Sequence, residues 1–159
     1  MMRIENTKLG DVEFEDERVI TFPEGLPGFS DSRRFALLEI RRGKAFKWLL
    51  SLDRPELALV VADPFAFFPG YEAPLEEKEL AALAYRENDL LAVLAVVTVR
   101  GRRKKDTTFN LRAPVVVNMR TLTGKQVVLK EEKWGLQARL PLIAPSPSGA
   151  KEKRPAASL

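Results

Sequence analysis

Residues 90–97 read Leu-Leu-Ala-Val-Leu-Ala-Val-Val, the longest unbroken apolar run of the chain, and Thr98 and Val99 continue it. Both faces that alternate along an extended strand are apolar in this stretch, which predicts a strand covered on both sides. The run is far shorter than the ~18 to 20 residues of a membrane-spanning helix. We therefore expect a central strand, with a helix lying over one of its faces.

Further short segments are either apolar throughout or alternate between apolar and polar residues. Turn signals separate them at spacings that suit antiparallel strands. Together with residues 91–100, the candidate strands are residues 3–6, 12–14, 19–22, 35–40, 48–51, 58–62, 107–111, 115–119 and 125–131. So many short strands predict a mainly β protein, either a barrel or a sandwich.

One main helix is predicted over about residues 75–87. Leu80, Leu83 and Ala84 form an apolar stripe at i, i+3 and i+4, and no β-branched residue interrupts the segment. Three glutamates lie in the first turns, where the helix dipole favours anions. A second, shorter helical turn is predicted over residues 30–34, because Ser30 and Asp31 are good N-cap residues.

The length of 159 residues suits one domain, and 45% hydrophobic residues can build its core. We expect that domain to span residues 1–143. Residues 144–159 are rich in Pro, Ser, Ala and charge, and predict a flexible basic tail. The first residues contain no apolar signal core, so a cytoplasmic protein is expected.

The composition excludes much of the usual catalytic chemistry. There are no cysteines and no histidines, which removes disulfides, thiol nucleophiles, Ser-His triads and zinc sites built on Cys or His. The carboxylates Asp53, Asp63 and Glu72 show no spacing typical of an acid/base pair, and turn roles explain Asp53 and Asp63. We expect no enzyme, no metal, no cofactor and no small-molecule substrate.

Residues 23–29 read Pro-Glu-Gly-Leu-Pro-Gly-Phe and predict a rigid loop, named here the motif loop. Gly25, Pro27 and Gly28 restrict the backbone, and we expect a positive φ at Gly25 or Gly28. Two roles are open for the loop. It is a turn whose Phe29 plugs the end of a barrel, or its backbone binds a partner.

Residues 63–72, named here the aromatic segment, place Phe65, Phe67, Phe68 and Tyr71 in ten residues. Regular alternation along a loop interrupted by Pro64 and Pro69 cannot bury all four rings, so at least one is expected to be exposed and to anchor a partner. The segment lacks cations, which favours a protein partner over nucleic acid. The predicted partner-binding residues are Asp53, Pro64, Phe65, Phe67, Phe68, Tyr71 and Glu72.

Residues 100–105 carry five cations in six positions and offer the alternative of a nucleic-acid-binding module. The charge of the whole chain is only +4, from 26 cations and 22 anions, and no aromatic residue interrupts the basic stretch. A solvated hairpin tip explains it more simply, and no direct binding of nucleic acid is expected.

Several motifs follow one another along the chain: residues 20–29, ITFPEGLPGF; residues 49–58, LLSLDRPELA, leading to 61–64, VADP; residues 69–72, PGYE; residues 110–118, NLRAPVVVN; and residues 124–129, GKQVVL. In this order they resemble the bacterial flagellar assembly factor FliW family. The likeness covers about residues 4–142. Gly70 departs from it, because the family commonly has an acidic residue there.

The resemblance implies a small antiparallel β-barrel with one main helix and no catalytic activity. It also implies two protein partners: flagellin, bound through its C-terminal region, and the RNA-binding translational regulator CsrA. Competition between these partners would couple the level of flagellin to its translation by mass action.

Overall fold

The computed structural model describes residues 1–40, 45–99, 107–131, 133–136 and 138–139. The basic stretch at 100–105 and the tail at 144–159 lie outside the described residues. The described strands are β1 (Met2–Thr7), β2 (Gly10–Phe14), β3 (Val19–Thr21), β4 (Arg34–Glu39), β5 (Phe46–Ser51), β6 (Ala58–Ala62), β7 (Leu91–Val99), β8 (Thr107–Asn118), β9 (Thr123–Gln126) and β10 (Ala138–Arg139). A 3-10 turn spans Asp16–Arg18, and two short helices follow, α1 (Pro64–Phe67) and α2 (Glu77–Ala82).

Seven strands close into a barrel in the order β3-β4-β5-β6-β7-β8-β9 and back to β3. All neighbouring strands are antiparallel except β3 and β9, which form a parallel pairing at Thr21 and Thr123. β10 adds to β8 outside the ring, and β1 and β2 form a separate hairpin. The prediction of a mainly β barrel is confirmed. Among the described residues, neither helix is long and apolar enough to cross a membrane.

The strand β7 is covered on both faces, as its sequence predicts. Leu91, Val93, Ala95 and Val97 face an outer core, whereas Leu94 faces the barrel interior. The interior core draws on strands around the ring: Ile20, Phe35, Leu37, Leu49, Val61, Leu94, Val115 and Val117, with Phe22 and Leu26 beside them. The outer core lies between β7, β8 and the irregular chain around α1 and α2.

The predicted strands at 107–111 and 115–119 form one continuous strand, β8. Residues 111–114 of β8 lie opposite the single residue Ala95, because Leu94 pairs with Val115 and Val96 pairs with Asn110. This bulge shifts the alternation of side chains by one face. Phe109 and Leu111 consequently enter the outer core, while Val115 enters the barrel interior.

The main helix is shorter than the prediction of residues 75–87. Ala84 adopts a φ of 52°, and the amides of Ala84 and Tyr85 donate to the carbonyls of Ala81 and Leu80, both at 3.0 Å. This is a Schellman motif with alanine where glycine is usual. The predicted turn at residues 30–34 is not helical: Ser30 and Asp31 lie in a turn, and β4 begins at Arg34.

Candidate partner-binding surfaces

The motif loop has the glycine conformations that the sequence predicts. Gly25 and Gly28 have φ of 68° and 85°. Only Gly25 is also sterically confined, because a Cβ there would lie 2.7 Å from the Cα of Ser30. Leu26 is buried in the barrel core, whereas Pro27 is exposed. Phe29 is only half-buried, so Leu26 rather than Phe29 closes this part of the barrel.

Asp53 connects the turn after β5 to the start of β4, just beyond the motif loop. Its Oδ2 accepts hydrogen bonds from the amides of Arg33 (2.7 Å) and Arg34 (3.0 Å), which hold the pKa of this carboxyl below its usual range. Beside it, the buried hydroxyl of Ser51 donates to that of Ser32 at 3.2 Å. Asp53 therefore stabilises a loop other than its own, which is a role beyond the simple turn predicted for it.

The cation of Arg54 joins the same surface. Its guanidinium lies 5.8 Å from the centre of the Phe29 ring and 3.9 Å from the carboxylate of Asp31. The motif loop and residues 51–57 therefore form one surface that presents Phe29, Arg54 and backbone to solvent. The described contacts of Asp53 place it on this surface and not on the aromatic segment.

The aromatic segment belongs largely to the outer core, and the expectation of an exposed ring is wrong. Phe65, Phe68 and Tyr71 are buried, and Phe67 is half-buried. The carboxylate of Asp63 accepts a hydrogen bond from the amide of Phe65 at 2.9 Å and caps α1, with Pro64 as its first residue. Phe65 lies in α1, Phe68 at its C-cap and Tyr71 beyond it, and at this spacing of three residues all three rings enter the outer core instead of alternating.

Gly70 continues this change of direction with a φ of 86°, a value that favours glycine over the acidic residue expected from the family pattern. Tyr71 then packs edge to face against Trp134, with ring centres 4.9 Å apart. Its hydroxyl donates to the carbonyl of Leu111, and burial raises the pKa of the phenol, so Tyr71 stays neutral. Glu72 is exposed next to this buried ring.

The aromatic segment leaves accessible part of the Phe67 ring, the side chain of Pro69 and the carboxylate of Glu72. Phe67 lies 5.3 Å from the half-buried ring of Phe46 on β5, centre to centre, and 5.1 Å from the buried ring of Phe109. Phe46, Phe67, Pro69 and Glu72 are thus among the residues of this region with side-chain surface available to a partner. Phe46 was not among the predicted residues, because it is 21 positions from Phe67 in the sequence.

A polar network around the buried Asn118 was also missed by sequence reasoning. The Nδ2 of Asn118 donates to the carbonyl of Leu83 and to the carboxylate of Asp89, both at 3.0 Å. Arg120 donates from Nε to Asp89 at 2.7 Å and from Nη2 to the carbonyl of Ala84 at 2.9 Å. The signal that could have revealed it is one asparagine at the end of the apolar run Val-Val-Val-Asn at residues 115–118.

An ion pair between β9 and α2 forms a second feature that the sequence did not indicate. The Nζ of Lys125 lies 3.0 Å from the carboxylate of Glu79 and 3.8 Å from that of Glu24. Glu79 raises the pKa of Lys125, and Glu79 itself is buried. Among the described residues, no group of three or more carboxylates is arranged to hold a metal ion.

These observations define a small, closed β-barrel protein with a second hydrophobic layer on one side. The comparisons agree with that class and make it specific. A sequence profile described as "FliW protein" matches residues 3–140. The chain therefore belongs to the FliW family.

Individual relatives are similar over most of their length. The flagellar assembly factor FliW of Thermosipho africanus is 33% identical over 135 residues, which cover 85% of this chain and 93% of the relative. That of Natranaerobius thermophilus is 38% identical over 128 residues, covering 80% and 85%. A crystal structure of the flagellar assembly factor FliW matches with a TM-score of 0.80 at 33% identity, and covers 88% of this chain and 97% of the other.

Proposed function

We propose that this chain is a cytoplasmic, non-enzymatic flagellar assembly factor that binds flagellin and CsrA. The observation that carries the proposal is the FliW family match over residues 3–140, together with the relatives named as flagellar assembly factors. The composition supports a binding role over a catalytic one, because cysteine and histidine are both absent. Binding of flagellin would withdraw the chain from CsrA and free CsrA to repress translation.

We further propose that partner contact uses the accessible end of the aromatic segment. Phe67 presents the edge of a ring that Phe46 and Phe109 hold in place, so little side-chain entropy remains to be lost on docking. Glu72 is exposed nearby in the chain and favours a cationic partner surface. Phe65, Phe68 and Tyr71 would support this surface from below. Asp53 would act separately, by holding the segment between the motif loop and β4.

The test measures binding of the purified chain to purified flagellin and to CsrA by calorimetry. A second assay adds the chain to a complex of CsrA with the flagellin leader RNA. We expect both proteins to bind, the RNA to be released, and added flagellin to reverse that release. Failure of the chain to bind either protein overturns the proposal. Direct binding of the RNA by the chain alone, with steep salt dependence, would favour the nucleic-acid alternative instead.

Two variants test the surface. Phe67→Ala should weaken binding about tenfold when affinity is referred to folded protein, as expected for a contact near a binding hot spot. Glu72→Lys should weaken binding several-fold, and the loss should shrink as salt is added. Glu87→Lys is the matched control, because Glu87 is an exposed carboxylate outside the aromatic segment. Equal effects of Glu72→Lys and Glu87→Lys would place the contact elsewhere.

A further inference from the structure

One edge of the barrel strand β9 and its continuation is left uncovered by the parallel pairing with β3. That pairing is limited to Thr21 and Thr123, so β3 does not follow β9 beyond its first residue. Residues 124–131 run on beside two hollows. One, of about 220 Å³, lies between residues 74–79 and residues 127–131, and the other, of about 70 Å³, lies between residues 23–25, Ala82 and residues 124–125. We name residues 124–131 with these hollows the edge groove.

Residues 127–129 of the edge groove continue the course of β9 beside β8, before the chain bends at Lys130. The amide of Val127 donates to the carbonyl of Pro114 at 2.9 Å, and that of Leu129 donates to the carbonyl of Arg112 at 2.8 Å. Successive amides of an extended strand point to opposite edges. The amide of Val128, between them, therefore points away from β8, and among the described residues it has no backbone partner.

The chemistry of the edge groove favours a peptide that is apolar and basic. Leu75, Val127 and Leu129 are buried beneath it, while Val128 is 64% exposed at its surface. Three ion pairs lie along the groove: Lys125 with Glu79 at 3.0 Å and with Glu24 at 3.8 Å, and Lys130 with Glu76 at 3.1 Å. Glu24 and Glu131 are exposed at its ends, so its four carboxylates exceed its two lysines by two charges.

The size of the hollows narrows the choice of ligand. Even the larger hollow, about 220 Å³, is below the roughly 300–1,000 Å³ of small-molecule pockets. A strand edge with an amide directed outward matches the known mode in which an extended peptide adds to a sheet, with side-chain pockets giving specificity. The acidic excess selects for lysine or arginine in that peptide.

We propose that the edge groove binds an extended segment of a partner protein as an additional β-strand, and that this segment alternates small apolar residues with lysine or arginine. One of its backbone carbonyls accepts from the amide of Val128. Its cations lie near Glu24 and Glu131. The proposal is independent of the identity of flagellin or CsrA as partners, because it concerns the chemistry of one edge of the barrel.

The probe is a fluorescein-labelled octapeptide, Thr-Val-Lys-Val-Thr-Val-Lys-Val, titrated into the full chain and followed by fluorescence anisotropy. Two matched peptides accompany it, one with N-methyl groups on alternate amides along the edge that would face β9 and one with glutamate in place of lysine. We expect each change to weaken binding by about tenfold, through lost ladder hydrogen bonds or charge repulsion. Equal binding of all three peptides, or no binding of the first at millimolar concentration, overturns the proposal.

Two variants and a residue-resolved measurement locate the site. Val128→Pro removes an amide that faces the groove and should abolish binding, whereas Val128→Ala keeps the amide and should retain most of it. Glu131→Lys changes a side-chain charge and leaves the backbone amide in place, and it should weaken binding several-fold. Amide hydrogen exchange by NMR should show new protection of Val128 when the peptide is added.

Other occupants of the edge groove give different results. Protection of the Val128 amide without peptide, lost when residues 145–159 are removed, would show that the chain's own C-terminal segment covers the edge. Protection that depends on protein concentration would show that a second copy covers it. Either result overturns the proposal of a partner peptide.

Discussion

The hydroxyl of Tyr71 donates a hydrogen bond of 2.6 Å to the backbone carbonyl of Leu111, 40 residues further along the chain. Both residues are fully buried, so this bond ties the aromatic segment to the bulge in β8. Tyr71→Phe should lower the free energy of unfolding by about 1–2 kcal/mol, because the carbonyl of Leu111 loses this buried donor. Urea denaturation measures the change. Tyr85→Phe, on a half-buried ring at the edge of the same core, is the control and should have a smaller effect.

The two motif-loop glycines should respond differently to substitution. Gly28→Ala should lower the free energy of unfolding by about 1 kcal/mol. The positive φ alone causes this loss, because no atom lies within 4 Å of the added Cβ. Gly25→Ala should cost clearly more, because its Cβ would also meet the backbone of Phe29 and Ser30 at 2.7–2.8 Å. Gly10→Ala, at an open position with φ of 84°, should resemble Gly28→Ala in thermal denaturation. Equal losses at Gly25 and Gly28 would contradict the predicted clash.

Position 124 on β9 requires a glycine because of a neighbouring side chain, and not because of its backbone conformation. An added Cβ would lie 2.6 Å from Cε2 of Phe22, inside the barrel. Gly124→Ala should therefore destabilise the protein by about 1–3 kcal/mol through overpacking. The double variant Gly124→Ala with Phe22→Leu should lose less stability than the sum of the losses of the two single variants. A double-mutant cycle measures that coupling. Additive losses would show that the two positions do not meet.

Ala84 is a site where one substitution should stabilise the fold. Its φ of 52° strains an alanine but suits a glycine. Ala84→Gly should raise the free energy of unfolding by about 0.5–1 kcal/mol, because relief of the strain outweighs the added freedom of the unfolded chain. Ala82→Gly, inside α2, is the matched control and should lower it by a similar amount. Loss of stability in both variants would refute the Schellman geometry at Ala84.

Asp89 should make stability depend on pH in the acid range. The guanidinium of Arg120, with the amide of Arg86 and the side chain of Asn118, holds the pKa of Asp89 well below its usual range. A carboxyl with a lowered folded-state pKa stabilises the fold above its unfolded pKa of about 3.9, and this stabilisation is lost as the pH falls below that value. Asp89→Asn should be less stable than the parent at pH 7, and the difference should narrow towards pH 2. Urea denaturation from pH 7 to pH 2 measures it. A constant difference would mean that the charge of Asp89 plays no part.

The parts of the fold that were predicted from sequence depend on local patterns. The two apolar faces of β7 show directly in residues 90–99, and the positive φ of Gly25 and Gly28 follows from residue types that favour tight turns. The parts that were missed depend on contacts between distant residues. Nothing in the residues around Ala84 ends a helix there. The backbone carbonyl of Leu83 is bound by Asn118, 35 positions away, and that of Ala84 by Arg120, 36 positions away.

The same distinction applies to the candidate surfaces. The sequence indicates that the aromatic segment is unusual, but alternation was the wrong basis for orienting its rings. The spacing of Phe65, Phe68 and Tyr71 by three residues carried the information that one side would be buried. The position of Phe46 beside Phe67 and the uncovered edge of residues 124–131 follow from strand pairings, which short-range patterns do not encode.

By itself, the sequence determined which segments are extended, that β7 is buried on both faces, and that the chain resembles the FliW family. These properties follow from the alternation of side chains and the backbone preferences of glycine and proline, which act over a few residues. Only the tertiary structure decided where α2 ends, which rings of the aromatic segment face the core and which edge of β9 stays open. Those features depend on closing the barrel, since burial and hydrogen bonds between residues 35 to 40 positions apart outweigh local preferences of about 1 kcal/mol.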